Sequence, residues 1–251
     1  MGSPCKCWPR ALVVAVGGVL IGCASVGALF VSYSDTMQPM RQQLQLGQWS
    51  EALAAIPEST ARDNNYVLDR LTSDVHFILN PDILLTGDVL EDMAAWLLAR
   101  PGAAMATPQL RYPDGKLQHL PRRKPTPWLL LARQLAPKLG GCFKKADDHY
   151  TMQDEDLTVP RRIEFCTGSF MAVRTDVFKE IGGFDPGYFM YVEDADLTQK
   201  VLQKGTVWLA PQFSAIHAWH RAPMRDAGKF KMQLVSMGRY FKKWGCGKGT
   251  V

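Results

Sequence analysis

The chain has 251 residues, of which 47% are hydrophobic and 21% charged, and its net charge is +5. That balance excludes a mainly disordered, collagen-like or multi-span membrane protein, and the length suits one large or two small domains with a substantial core. The charge is uneven, with eight Lys/Arg against the single acid Asp226 in residues 221–251, so this end suits either an anionic partner such as a membrane surface or a solvated helix face.

Residues 11–34 carry no charge and follow Lys6 and Arg10. That length can span a bilayer, and the basic flank suits an anchor or signal that starts inside. Leu20-Ile21-Gly22-Cys23 also looks like a lipoprotein processing site. The second half of the run reads equally well as a buried parallel strand. The reading adopted is an anchor-like or poorly ordered lead over 1–24, a first strand at 26–33, a main domain over 25–225 and a basic amphipathic end over 226–251. Helices follow at 37–46 and 49–56, a polar loop at 57–65 and a helix at 64–71. Residues 75–79 are a β-rich run stopped by Asn80-Pro81-Asp82. An amphipathic helix starting at Thr86 or Asp88 runs to Leu98, a strand is expected over 103–110, and Pro113-Asp114-Gly115 is a turn. Residues 119–127 form a basic, proline-punctuated loop, 128–135 an apolar stretch and 147–156 a loose acidic segment. A strand at 165–173, helices at 175–181 and 195–203 and a last strand at 207–209 complete an α/β alternation. The six cysteines form neither a disulfide framework nor a zinc-finger spacing.

Three places carry candidate chemistry. Asp82, just past a buried strand, lies where ligands bind in open α/β sheets, and an oxygen ligand there suits Mg²⁺ or Mn²⁺; a capping Asn-Pro-Asp turn is the structural alternative. Glu193, Asp194 and Asp196 crowd three carboxylates into four residues, a repulsion tolerable at a helix N-terminus or around a ligand. The third is His217 in Ile216-His217-Ala218-Trp219-His220, where His220 is the competing candidate.

Taken together, Cys166-Thr167-Gly168-Ser169-Phe170, Gly182-Gly183-Phe184-Asp185 and Tyr191-Val192-Glu193-Asp194-Ala195-Asp196 resemble family 2 glycosyltransferases, and within them bacterial rhamnosyltransferase-like enzymes. Leu79-Asn80-Pro81-Asp82 resembles the metal-binding acidic motif of that family, and Tyr112-Pro113-Asp114-Gly115, Arg122-Arg123, His217-Ala218-Trp219 and Arg239-Tyr240-Phe241-Lys242-Lys243-Trp244-Gly245 fit its middle and end. The likeness covers about 65–245. It implies a GT-A-like open mixed sheet flanked by helices, a dTDP- or UDP-linked sugar donor, inversion at the anomeric carbon and a lipid-linked saccharide acceptor at the cytoplasmic face of the inner membrane. It implies Asp194 as base with Glu193 as second candidate, Asp82 and His217 on Mg²⁺ or Mn²⁺, and Asn80, Gly168, Ser169 and Tyr33 at the donor. The family's second nucleotide-reading strand has no counterpart between 26–33 and Asn64, so the N-terminal half reads as shortened. A truncated non-catalytic remnant and a membrane-anchored envelope binding protein are the alternatives.

At the basic end, Phe230, Leu234, Met237, Phe241 and Trp244 recur at helical spacing, a stripe that either docks on the domain or lies on a bilayer. No nucleic-acid motif or interleaved aromatic series accompanies the lysines.

Overall fold

The computed structural model describes residues 11–15, 65, 67–80, 82–85, 87–188, 191–218 and 227–247. Among them, seven strands form one mixed sheet: β1 (Ala11–Ala15), β2 (Val75–Leu79), β3 (Ile83–Leu84), β4 (Ala103–Arg111), β5 (Arg161–Arg162), β6 (Phe170–Arg174) and β7 (Thr206–His217). The order is β1-β2-β6-β4-β7-β3, with β5 also on β7. β1 is parallel to β2 and β4 to β7, while the other pairs are antiparallel. The helices are α1 (Val89–Leu98), α2 (Pro127–Leu139), α3 (Gly141–Tyr150), α4 (Thr175–Glu180), α5 (Glu193–Leu202) and α6 (Ala227–Trp244).

β2 reads Val-His-Phe-Ile-Leu without polar alternation, and all five residues are buried, as a strand covered on both faces must be. Its side chains alternate between two cores. Val75, Phe77 and Leu79 join Phe170 and Ala172 of β6 against Val89, Leu90, Met93 and Leu97 of α1. Ile78, Met171 and Val173 meet Phe178 of α4 and Leu197 and Val201 of α5 on the opposite face. Arg174, at the end of β6, donates through Nε to the Ala103 carbonyl (2.7 Å) and through Nη2 to those of Leu97 and Leu98 (3.3 and 3.1 Å), which satisfies carbonyls that the end of α1 leaves without helical partners.

The Gly-Gly-Phe turn after α4 is equally specific. Asn65 accepts from the Phe184 N–H (2.8 Å) and donates to the Phe184 carbonyl (2.6 Å). Gly183 has φ +61, and a Cβ there would fall 2.2 Å from the Asn65 amide oxygen, so any side chain would expel the asparagine.

Several elements differ from the sequence reading. The strand beside β2 is Ala11–Ala15, inside the segment read as an anchor-like lead; residues 26–33, 37–46 and 49–56 lie outside the described residues, as does Tyr33. The chain between β1 and Asn64 is therefore longer than a first strand at 26–33 would leave. The expected helix at 64–71 contains a 3-10 turn at Leu68–Arg70. The apolar stretch from 128 is α2, started by the Thr126 hydroxyl accepting from the Leu129 N–H (3.2 Å) with Pro127 in the first turn. The acidic segment at 147–156 begins as the last turn of α3, held by Arg133–Asp147 and Lys144–Asp148 ion pairs. The last strand extends from 206 to 217, since β4, β5 and β3 all pair with it.

Candidate active site

Beyond Leu79 the chain turns at once. The Ile83 N–H donates to the Asn80 carbonyl (3.1 Å), and β3 then sets Ile83 opposite His217 at the end of β7. The Ala218 N–H donates to the Asp82 carbonyl (3.1 Å). These backbone bonds hold Asp82 beside His217, with Nε2 3.3 Å from Oδ1. Gln118 fixes the ring: its Nε2 donates to the His217 carbonyl (2.8 Å), which turns its Oε1 toward Nδ1 (2.8 Å). An amide oxygen only accepts, so this orientation assigns a proton to Nδ1 and, in the neutral ring, directs the Nε2 lone pair at Asp82. A lone pair facing a carboxylate is unfavourable unless a proton or metal cation lies between them. Imidazole and carboxylate are both ordinary ligands for Mn²⁺ and acceptable ones for Mg²⁺, and the carbonyl-and-amide support on the far nitrogen is typical of metal-bound histidines. Among the described residues no group of three or more His, Cys, Asp and Glu converges as a metal site.

The turn at 167–169 connects this corner to the acidic cluster. The Asn80 N–H donates to the Ser169 carbonyl (3.0 Å), and one residue away the Gly168 N–H donates to Oδ2 of Asp194 (3.0 Å). The Ser169 hydroxyl is buried and shares a hydrogen bond with Thr167 (3.1 Å). The structure thus gathers Asn80, Asp82, Gly168, Ser169, Glu193, Asp194 and His217 around the carboxyl end of β2; Tyr33 lies outside the described residues.

Asp194 opens α5. Its Oδ1 accepts from the Ala195 N–H (2.8 Å) and its Oδ2 from Gly168, and the helix N-terminus adds favourable dipole. Burial nevertheless raises its pKa, against those backbone bonds and the Arg122 guanidinium. Glu193 is pushed up to about 7 by burial and then by the Asp194 charge. Its Oε2 is buried with no hydrogen-bond partner among the described residues. The donors therefore favour charge on Asp194, and the orphaned oxygen favours the proton on Glu193. Immediately upstream, Tyr191 and Val192 have φ of +68 and +66. Two consecutive left-handed residues, one β-branched, cost on the order of 1–3 kcal/mol each, strain stored where the acid pair begins.

The opposite side of α5 is locked by α6. Asp196 is fully buried and accepts from Trp244 Nε1 (2.7 Å), Lys243 Nζ (2.8 Å) and the Tyr188 hydroxyl (3.2 Å). Arg239 pairs with Asp185 (2.9 Å) and fills the space a side chain at Gly187 would need. The inward face of α6 is Ser236, Tyr240, Phe241 and Trp244, whereas Leu234 and Val235 are exposed. The expected stripe is rotated: Leu234 points away, and Tyr240, absent from it, is central. The side chain of Phe230 lies outside the described residues.

Sequence reasoning passed over Gln118, which sits in a strand-flanking loop with no pattern to mark it, and Tyr150. Arg122 and Tyr150 are both buried; the Arg122 guanidinium favours the charged form of Asp194, and the Asp194 charge helps to hold the Tyr150 phenol protonated. Burial lowers the Arg122 pKa to about 10 and raises that of Tyr150 to about 12.

Comparison with known proteins places these residues in context. Rhamnosyltransferase WbbL of Escherichia coli (strain K12) is 40% identical over 83 residues, 32% of this chain and 31% of that protein. N-acetylglucosaminyl-diphospho-decaprenol L-rhamnosyltransferase of Mycobacterium tuberculosis (strain CDC 1551 / Oshkosh) is 31% identical over 157 residues, 59% of this chain and 48% of that protein. Over the aligned residues the chain is similar to these rhamnosyltransferases. It spans about half or less of the length of the curated relatives it matches. No protein-family model matches. Among solved structures, GalNAc-T7 with UDP, GalNAc and Mn²⁺ aligns with a TM-score of 0.46 and 13% identity, covering 78% of this chain and 39% of that one. The mannosyltransferase PcManGT from Pyrobaculum calidifontis with GDP-Man and Mn²⁺ aligns at 0.47 and 13%, covering 95% and 64%.

Proposed function

We propose that this chain is an inverting, metal-dependent glycosyltransferase. It moves a rhamnose-like sugar from a dTDP- or UDP-linked donor to a lipid-linked saccharide at the cytoplasmic face of the inner membrane. The observation that carries the reading is the 167–169 turn, whose neighbouring residues bond to Asn80 on one side and to Asp194 on the other. It joins the corner of Asp82 and His217 to a carboxylate suited to be a base. The names of the two relatives support the sugar, and the mycobacterial name supports a polyprenyl diphosphate acceptor.

In this reading Asp82 and His217 would hold a divalent cation, which would supply charge neutralisation for the departing diphosphate. Asp194 removes the proton from the acceptor hydroxyl. That oxygen bonds to the anomeric carbon from the face opposite the donor's phosphate, the carbon–oxygen bond to phosphate breaks, and the nucleoside diphosphate leaves with the electron pair. Glu193, protonated near neutrality, keeps a second negative charge away from Asp194. The backbone N–H of Gly168 holds Asp194 in orientation through the proton transfer. The test is release of nucleoside diphosphate from dTDP- and UDP-sugars by the purified chain with Mn²⁺ and a prenyl-diphosphate saccharide. Wild type turns over and Asp194→Asn does not; equal turnover by the two would remove Asp194 as base.

A further inference from the structure

The α2–α3 hairpin projects from the rim of the candidate site. Its base is closed by the Arg123 N–H donating to the Tyr150 carbonyl (3.0 Å), and the adjoining Arg122 exchanges backbone hydrogen bonds with Phe165 (3.3 and 3.0 Å), on the segment that leads to the Gly168 turn at Asp194. Its tip turns at Gly140 and Gly141, with φ of +59 and +54.

Along α2, Trp128, Leu131, Leu135 and Leu139 recur at intervals of three to four residues and so lie on one stripe. The inward face is Ala132, which is fully buried. The outward stripe is not covered: Trp128 is 51% exposed, Leu131 50% and Leu139 62%. Trp128 leans on Phe143 of α3 (centroids 5.7 Å apart), which stiffens the pair of helices. A run of large apolar side chains exposed along one surface helix marks a face that meets a partner or a membrane.

The charges around the stripe select the occupant. Both acids of α3 are neutralised within the hairpin, Asp147 by Arg133 and Asp148 by Lys144. Lys138 and Lys145 are exposed and have no ion-pair partner among the described residues. An outward tryptophan and leucines bordered by unpaired lysines match a bilayer interface carrying anionic headgroups. α6 is the weaker alternative, because its aromatic residues Tyr240, Phe241 and Trp244 face α5. No helix among the described residues is long and apolar enough to cross a membrane.

We propose that the α2–α3 hairpin docks this protein on an anionic lipid bilayer, with Trp128, Leu131 and Leu139 entering the boundary between headgroups and acyl chains. This deepens the reading above and rests on it for its purpose: the hairpin's base is bonded to Phe165, on the segment that leads to the Gly168 turn at Asp194, so a membrane held by its outer face brings a lipid-borne hydroxyl toward Asp194.

The experiment is co-sedimentation of the full chain with equimolar phosphatidylglycerol–phosphatidylcholine vesicles and with phosphatidylcholine alone. Wild type sediments with the first and about tenfold less with the second. Leu131→Glu/Leu139→Glu lowers binding to the anionic vesicles at least about tenfold, whereas Val235→Glu on α6 leaves it unchanged. In wild type, brominated acyl chains quench tryptophan fluorescence, and Trp128→Phe removes most of that quenching, a readout independent of whether the double variant folds. Wild-type binding by the double variant, quenching untouched by Trp128→Phe, or absence of wild-type binding overturns the proposal. So does a dimer in light scattering that the double variant converts to a monomer, since a second copy would then be the occupant. Transfer to a short-chain, detergent-soluble acceptor is unaffected by the double variant and lost in Asp194→Asn, while Asp194→Asn still binds vesicles, so failure of docking and failure of the catalytic reading give different results.

Discussion

The two acidic centres of this molecule are built from opposite materials. Asp82 meets an imidazole whose orientation is fixed by a buried amide. Asp194 meets two backbone N–H groups and a second carboxyl, on a helix start entered through two left-handed residues. In the proposed reading the first corner takes up a cation and the second carries the base. The lesson is that like side chains acquire different chemistry from backbone placement and from the neighbour immediately across.

The comparison breaks most sharply at Asp194. Asp194→Asn is expected to lower turnover about 10³-fold while leaving Mn²⁺ affinity unchanged, measured by diphosphate release and by metal titration. The converse variant is Gln118→Leu, which frees the His217 ring; a loss of about 10–100-fold in Mn²⁺ affinity is expected, with turnover recovered at saturating metal. If neither separation appears, the centres are not distinct.

Lys243→Met tests whether Asp194 depends on the lock behind it. Withdrawing the cation from the buried Asp196 is expected to cost about 2–3 kcal/mol, because Lys243 is partly exposed and the loss is less than for a fully buried pair. The melting temperature falls accordingly. Glu193→Gln sharpens the assignment of the proton. The raised Glu193 pKa means the folded state takes up a proton as the chain folds, so wild-type stability falls as pH rises from about 4.5 through about 7. The variant gains on the order of 2 kcal/mol at pH 8 and little at pH 4.

The remaining effect belongs to a residue outside both centres and shows only below neutral pH. His76 is fully buried against Phe178 (centroids 4.9 Å apart), and burial pulls its pKa down to about 3. Its ordinary value applies to the unfolded chain, so the neutral ring's contribution is complete above pH 6.5 and is lost as pH falls toward 3. His76→Phe flattens that acid limb in denaturation curves measured from pH 7 to 4.

The chemistry was more legible in the sequence than the architecture around it. Asp82 and Glu193-Asp194 stand out because an acid after an apolar run, or three acids in four residues, is costly without a purpose. β2 and α1 follow from composition and period. β3 and β5, two residues each, have no periodicity to read and exist because β7 offers them edges. The inward face of α6 was set by Asp196, buried on another helix 47 residues away, which no helical wheel of α6 contains. Gln118 is legible only once the sheet brings it to His217.

The Asp196 lock also orders events in time. Until Lys243 and Trp244 are made, the aspartate of α5 has no indole or ammonium to meet and must remain hydrated. A chain that stops short of Lys243 carries α5 without the contacts that hold it to α6.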